Sequence, residues 1–163
     1  MDSQDIFLNN INRLAAYHSL DTYKQMAEFL DVTEDALKHW QNKTRCPTLK
    51  RLDQIGDRIG CRSYALIQKD SEIFAKIDCP KNNSREIFIR NLKEKFLQEG
   101  RFSWNDKAAL FCCFVSVDAL KSYFRERNFK TPPLKKLDEM ASAIGIPAYE
   151  LIKGDDANEK TDT

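Results

Sequence analysis

The residues with the most chemical potential in this chain are five cysteines, two histidines and two clusters of lysine and arginine. Cys46, Cys61, Cys79, Cys112 and Cys113 include no Cys-x-x-Cys spacing, the pattern expected of a thiolate metal or redox site. The adjacent pair, Cys112 and Cys113, lies in an apolar stretch. Such cysteines read as reduced thiols in a reducing compartment. His18 and His39 are too few and too far apart for a metal cluster. Nothing has the form of a Ser-His-Asp set, a glycine-rich phosphate loop or a paired-carboxylate site, so the sequence predicts no catalytic centre, no metal and no cofactor. The cations remain. Lys43, Arg45, Lys50 and Arg51 form one cluster; Lys121, Arg125, Arg127, Lys130, Lys135 and Lys136 form the other. The formal net charge is only +1, so any case for an anionic partner rests on where these charges fall rather than on their sum.

The elements that carry them occur twice. Residues 47–70 recur at 132–155 at a constant spacing of 85, pairing Leu49 with Leu134, Leu52 with Leu137, Asp53 with Asp138, Gly60 with Gly145 and Tyr64 with Tyr149. A solenoid needs at least three copies to bury a continuous core, so two related small domains are expected. We place them at 1–70 and 86–155, with a linker at 71–85 that includes a short ordered piece at 73–77. A polar, acidic tail at 156–163 is expected to be disordered. Five glycines and a 42% hydrophobic fraction rich in Leu and Ala favour an all-α chain. No apolar run approaches the ~20 residues that span a bilayer, and the amino terminus lacks a signal peptide's basic start. A cytoplasmic protein is expected, with no membrane partner.

Within the first copy, residues 6–18 place Phe7, Ile11, Leu14 and Ala15 on one helical face. Thr22 and Gln25 form a capping box that opens a short helix over 22–30. After Asp31-Val32, Thr33 caps a second short helix ending near Asn42. Thr48 caps a fourth helix bearing Leu49, Leu52, Ile55 and Ile59, with Gly60 suited to a left-handed C-terminus. Residues 63–67 make a last short helix.

The pattern Thr22, Met26-Ala27, Leu30, Val32-Thr33, Leu37, Trp40, Pro47, Leu52, Ile55, Ile59-Gly60, Tyr64 and Leu66-Ile67 resembles the lambda-repressor/Cro-type (XRE-like) helix-turn-helix. That family consists of five-helix DNA-binding domains of phage and bacterial regulators. Asp31 stands where the family usually has Gly, and Asp tolerates a left-handed backbone. The second copy follows the same plan with more drift. Ser103 can cap its second helix, Val115-Ser116 matches Val32-Thr33, and Ala119-Leu120 with Tyr123 matches Ala36-Leu37 with Trp40. Leu110 falls at the position of Ala27 in the simplest alignment, the turn 111–114 is unusually apolar, and two extra residues precede Pro132. The expected fold is therefore two tandem five-helix domains of this type, the second more divergent.

The resemblance implies that the third helix of each copy enters the major groove of double-stranded DNA. Carried onto this chain, the base-reading candidates are Thr33, Glu34, Asp35, Lys38, His39 and Asn42, then Val117, Asp118, Lys121 and Ser122. The phosphate-contact candidates are Thr22, Lys43, Thr44, Arg45, Lys50 and Arg51, then Arg125, Arg127, Lys130, Lys135 and Lys136. Glu34 and Asp35 suit a helix N-terminus without any functional reason and would repel phosphates, unless they accept from a cytosine amino group. The implied protein is a non-enzymatic, sequence-specific transcriptional regulator, a repressor acting by promoter occlusion and associated with the nucleoid when bound. One chain could supply both readers, or a homodimer could form through one copy and read with the other. The alternative is a protein-interaction module on the same scaffold, an antirepressor or antitoxin-like regulator that takes a protein partner through its second domain.

Overall fold

In the computed structural model, which describes residues 1–73 and 81–154, all regular structure is helical. The first copy contains α1 (Ser3–Tyr17), α2 (Tyr23–Leu30), α3 (Glu34–Gln41), α4 (Leu49–Ile59) and a 3₁₀ helix (Ser63–Ile67). The second repeats the order with α5 (Ser84–Gln98), α6 (Trp104–Ala109), α7 (Val117–Tyr123), α8 (Leu134–Ile144) and a 3₁₀ helix (Ala148–Leu151). Side-chain caps define most of the starts. Thr22, Thr33, Thr48, Ser103 and Ser116 each accept from a backbone N–H in the first turn, and the Thr22–Gln25 capping box is complete. Asp31 ends α2 at φ 57°, and Gly60 and Gly145 end α4 and α8 at φ 79° and 75°, all left-handed.

Two expected boundaries move. Helix α1 begins at Ser3, where Asp2 caps it, and α5 begins at Ser84, inside the stretch assigned to the linker. Ser71 and Ile73 are buried, and the Ser71 hydroxyl donates to the Ala65 carbonyl of the first copy. Most of the expected ordered piece at 73–77, and the tail at 156–163, lie outside the described residues.

The structure also corrects the alignment of the copies. The spacing between equivalent residues is 81 through the first two helices, 83 in the third and 85 in the fourth, so chain is added only in loops. Ala108, not Leu110, stands at the position of Ala27, and both alanines are buried on the second helix of their copy. The first two additional residues fall in the turn. Asp31 alone lies between Leu30 and Val32, whereas Cys112, Cys113 and Phe114 lie between Phe111 and Val115. Cys112 and Cys113 both adopt positive φ, 51° and 71°.

Each core is built on the same contacts. Phe7 meets the edge of Trp40 with centroids 5.6 Å apart, and Phe88 meets Tyr123 at 6.1 Å. The Asn10 amide donates to the carbonyls of Ala65, Leu66 and Gln68, while Asn91 donates to those of Glu150, Leu151 and Lys153, the matching positions. These amides fasten the closing 3₁₀ helix to the first helix by occupying carbonyls that a short helix leaves orphaned. Leu37, Leu49, Leu52 and Ile55 are fully buried, as are Leu120, Leu134, Leu137 and Met140 in the second copy. Each such side chain contributes about 1.5–3 kcal/mol of apolar transfer.

The copies pack on each other reciprocally. Helix α1 lies on α8, α4 lies on α5, and the two 3₁₀ helices touch. The Ser3 N–H and hydroxyl donate to Asp138, and the Ser84 N–H and hydroxyl donate to Asp53. Asp53 and Asp138 are equivalent, so the fourth helix of each copy supplies an acceptor to the first turn of the other. Asn83 gives α5 no side-chain cap, and Asp53 performs that role from across the interface. Tyr64 and Tyr149, also equivalent, face each other at 6.5 Å, with the Lys153 ammonium 5.3 and 5.9 Å from their rings. Contact of i with j′ matched by j with i′ is the pattern of an isologous, two-fold interface, here formed within one chain.

Candidate nucleic-acid interface

Helix α3 is amphipathic because Leu37 and Trp40 turn into the core, while Glu34, Asp35 and Lys38 face solvent. Thr33 is committed as the N-cap, accepting from Ala36 N–H at 3.1 Å, and Asn42 is the exposed C-cap. His39 is half-buried and engaged. Its Nδ1 lies 2.8 Å from Thr44 Oγ1 and its Nε2 3.4 Å from Asp35, and the Thr44 hydroxyl donates to the His39 carbonyl. A hydroxyl has one proton to give, so with that bond made Thr44 accepts from His39 Nδ1–H. His39 and Thr44 therefore brace the loop after α3.

That loop is ordered by side chains from α1. Gln4 donates to the carbonyls of Trp40 and Arg45, and Lys43, at φ 57°, pairs with Asp2 and Asp5. The hydrogen bond from Lys43 holds the Asp5 carboxyl below its usual range and raises the Lys43 ammonium correspondingly. Of the phosphate-contact candidates here, Lys43 is thus neutralised, Thr22 and Thr44 are occupied locally, and Arg45 and Lys50 are exposed. Arg51 is half-buried beside an open groove of about 500 Å³ shared with Arg58, Lys81, Asp31 and Asp57. Arg58 closes α2 by donating to the Phe29 and Glu28 carbonyls.

The second copy presents a different surface. Val117 is half-buried, and Asp118 and Lys121 are exposed. Ser122 does not belong with the base-reading candidates. It is 5% exposed and its hydroxyl donates to the Ala119 carbonyl, because it faces inward beside Tyr123. Arg85, at the position of Gln4, repeats the strut with more reach, donating to the Tyr123 and Arg125 carbonyls while its guanidinium stacks 3.9 Å from the Phe129 ring. Arg125, Arg127, Lys130 and Lys135 are exposed. Lys136 is tied down by Glu139 at 2.7 Å and by the Phe114 carbonyl. The exposed large apolar side chains of this copy are Phe102, Phe114, Phe129 and Leu97, where the first has Met1, Tyr17 and Tyr23.

The two basic regions approach each other at the interface. Burial pushes the Cys46 thiol up, against the opposing pull of the Lys135 and Leu134 N–H groups at the start of α8. Arg45 and Lys135, from different copies, therefore flank one junction. Sequence reasoning matched Asp53 with Asp138 and Tyr64 with Tyr149 but missed that these pairs form the interface. The available signal was a repeated carboxylate and a repeated tyrosine inside an otherwise apolar helical pattern.

The molecule is thus an all-α protein of two similar units joined face to face. Comparison with known proteins gives no matching family model, no matching curated protein and no matching solved structure. No group of three or more His, Cys, Asp or Glu side chains suited to a metal ion occurs among the described residues. None of the described helices is long and apolar enough to cross a membrane.

Proposed function

We propose that this chain is a sequence-specific, double-stranded DNA-binding transcriptional regulator, built from two tandem lambda-repressor-like helix-turn-helix domains and acting as a repressor by promoter occlusion. The observation that carries this reading is the free edge of α3. Thr33, Glu34, Asp35, Lys38 and Asn42 are solvent-exposed over a helix pinned by Leu37 and Trp40, and the exposed cations Arg45 and Lys50 flank it. A helix held by its apolar face with a polar edge outward suits base-edge contact in the major groove, and cations beside it suit the adjacent phosphates. The protein then acts in the cytoplasm, at the nucleoid, by binding alone and without a cofactor.

Replacing Arg45, Lys50 and Arg51 with Ala tests this reading. Affinity for all duplexes should fall together, and the salt dependence should become shallower by about 0.9 in slope per contact removed. Lys43→Ala should change it less, because Lys43 is already paired with Asp2 and Asp5. An unchanged slope in the folded triple variant rejects the surface.

The exposed Phe102, Phe114 and Phe129 favour a second reading, in which the second copy takes a protein partner in the manner of an antirepressor or antitoxin. Phe102→Ser with Phe114→Ser separates the two, weakening partner capture while leaving duplex affinity unchanged.

A further inference from the structure

We infer that a single chain, not a dimer of chains, is the DNA-binding unit, and that its target is two unlike half-sites at one fixed spacing. This rests on the proposed reading of α3 and adds the symmetry and stoichiometry of the site. A rotation about a two-fold axis leaves height along that axis unchanged, so equivalent residues of the two copies, those of α3 and α7 included, lie at equal heights along it. The reciprocal Ser3–Asp138 and Ser84–Asp53 bonds and the Tyr64–Tyr149 pair supply such an axis. The two-fold that a homodimer provides for a palindromic operator already exists inside the chain.

Each copy brings an exposed cation to the junction. Cys46, which follows Arg45, feels the backbone N–H groups of Leu134 and Lys135 in the first turn of α8. A phosphate backbone crossing from one copy to the other would meet the exposed Arg45 and Lys135, while the nearby Asp2 and Asp5 carboxylates share Lys43 and Asp138 is engaged by Ser3.

The half-sites differ because the edges differ. Helix α3 offers Thr33, Glu34, Asp35, Lys38 and Asn42, whereas α7 offers Asp118 and Lys121 beside a half-buried Val117 and an inward Ser122. The turn before α7 is also two residues longer, which alters its entry. Two different edges on a pseudo-symmetric frame fit a bipartite, non-palindromic sequence.

The experiment uses the full chain. Duplexes are selected from a random library, stoichiometry on the winning duplex is measured by sedimentation, and five base pairs are then inserted between the two parts of the motif. The inference expects an asymmetric bipartite motif, one chain per duplex, and at least a tenfold loss of affinity on insertion, since half a turn moves one half-site to the opposite side of the duplex. Two chains on a palindrome, or a single short motif indifferent to the insertion, overturns the one-chain assignment and leaves the DNA-binding reading standing. No enriched motif, with affinity equal on all duplexes, overturns both.

Discussion

Copies one and two share a frame and differ in how they fill the space around the second and third helices. In the first copy, Ala15, Leu30 and Gln41 surround that space, and Gln41 reaches back to Asn12 through a polar contact at 3.3 Å. The second has Phe96, Phe111 and Phe124 at those places, with Trp104 where the first has Tyr23. Its rings form a linked set, Phe96–Phe111 and Phe96–Phe124 at 6.1 Å and Trp104–Phe124 at 5.5 Å, with the Lys107 ammonium 4.6 Å from Trp104. The longer turn and the larger side chains belong together. Extra backbone between α6 and α7 accompanies extra aromatic volume beneath it, so packing is retained while the outer edge of α7 changes. A helix pair can thus keep its core logic while its exposed face takes on another character.

Exchanging the fillings gives the largest expected effect. Phe96→Ala should cost about 3–5 kcal/mol, because the ring is buried against two others, Phe111 and Phe124. Ala15→Phe should cost about 1–3 kcal/mol by overpacking the first copy, which has the short turn. Urea unfolding midpoints at constant m measure both. A cost-free Ala15→Phe would show that turn length and ring volume are not linked.

The bridges come next. Asp53→Ala and Asp138→Ala each strand serine donors at the interface, at a cost of about 1–3 kcal/mol. Asp53 should be the more expensive loss, since it also accepts from the Ser63 hydroxyl, and Ala148 at the matching position has none to give. Equal losses in denaturation would contradict this asymmetry.

Gly56 and Ala141 occupy one register position on α4 and α8. A Cβ on Gly56 would stand 2.8 Å from both the Asn82 side-chain nitrogen and the Cys61 carbonyl oxygen, so Gly56→Ala is expected to lower the melting temperature. The penalty of about 1–3 kcal/mol for strain exceeds the helix-propensity gain of about 1. Ala141→Gly should also destabilise, by about 0.5–1 kcal/mol through propensity and about 0.8 kcal/mol more through loss of a buried methyl. A raised melting temperature for Gly56→Ala would mean that Asn82 moves aside freely.

The smallest expected effect is in pH. Burial holds the Asp53 and Asp138 carboxyls above their usual range, against the serine donors that pull them back. A raised folded-state value means these groups contribute most below the unfolded carboxylate range, and that contribution is lost as pH rises through the folded value. Relative to Asp53→Asn/Asp138→Asn, the wild type should gain stability between pH 7 and pH 4. A pH-independent difference between the two proteins would overturn the assignment of burial as the dominant cause.

The helical fold was legible because its signals are local. Thr22 with Gln25, Thr33, Thr48 and Ser103 announce helix starts, Asp31 and Gly60 announce stops, and Leu37 with Trp40 marks the inward side of α3. The position of Ala108 was not legible, because sequence alone does not say on which side of an apolar run such as 110–114 the additional residues fall. Ser122 was misjudged because a short helix offers too few turns for periodicity to fix its rotation. The interface was hidden because a carboxylate such as Asp53 looks like any solvated charge until its long-range partner, Ser84, is known.

The two interface bridges also have an order in time. Asp53 and Ser84 are separated by 31 residues of chain, but Ser3 and Asp138 by 135. Loop-closure entropy makes the longer connection costlier by about 1.3 kcal/mol if each formed alone. The Asp53–Ser84 bond can join the copies as soon as α5 leaves the ribosome, whereas Ser3 waits until α8 has been synthesised. Once the first bond holds the copies together, the second closes over a loop already shortened, so the long-range contact completes assembly rather than nucleating it.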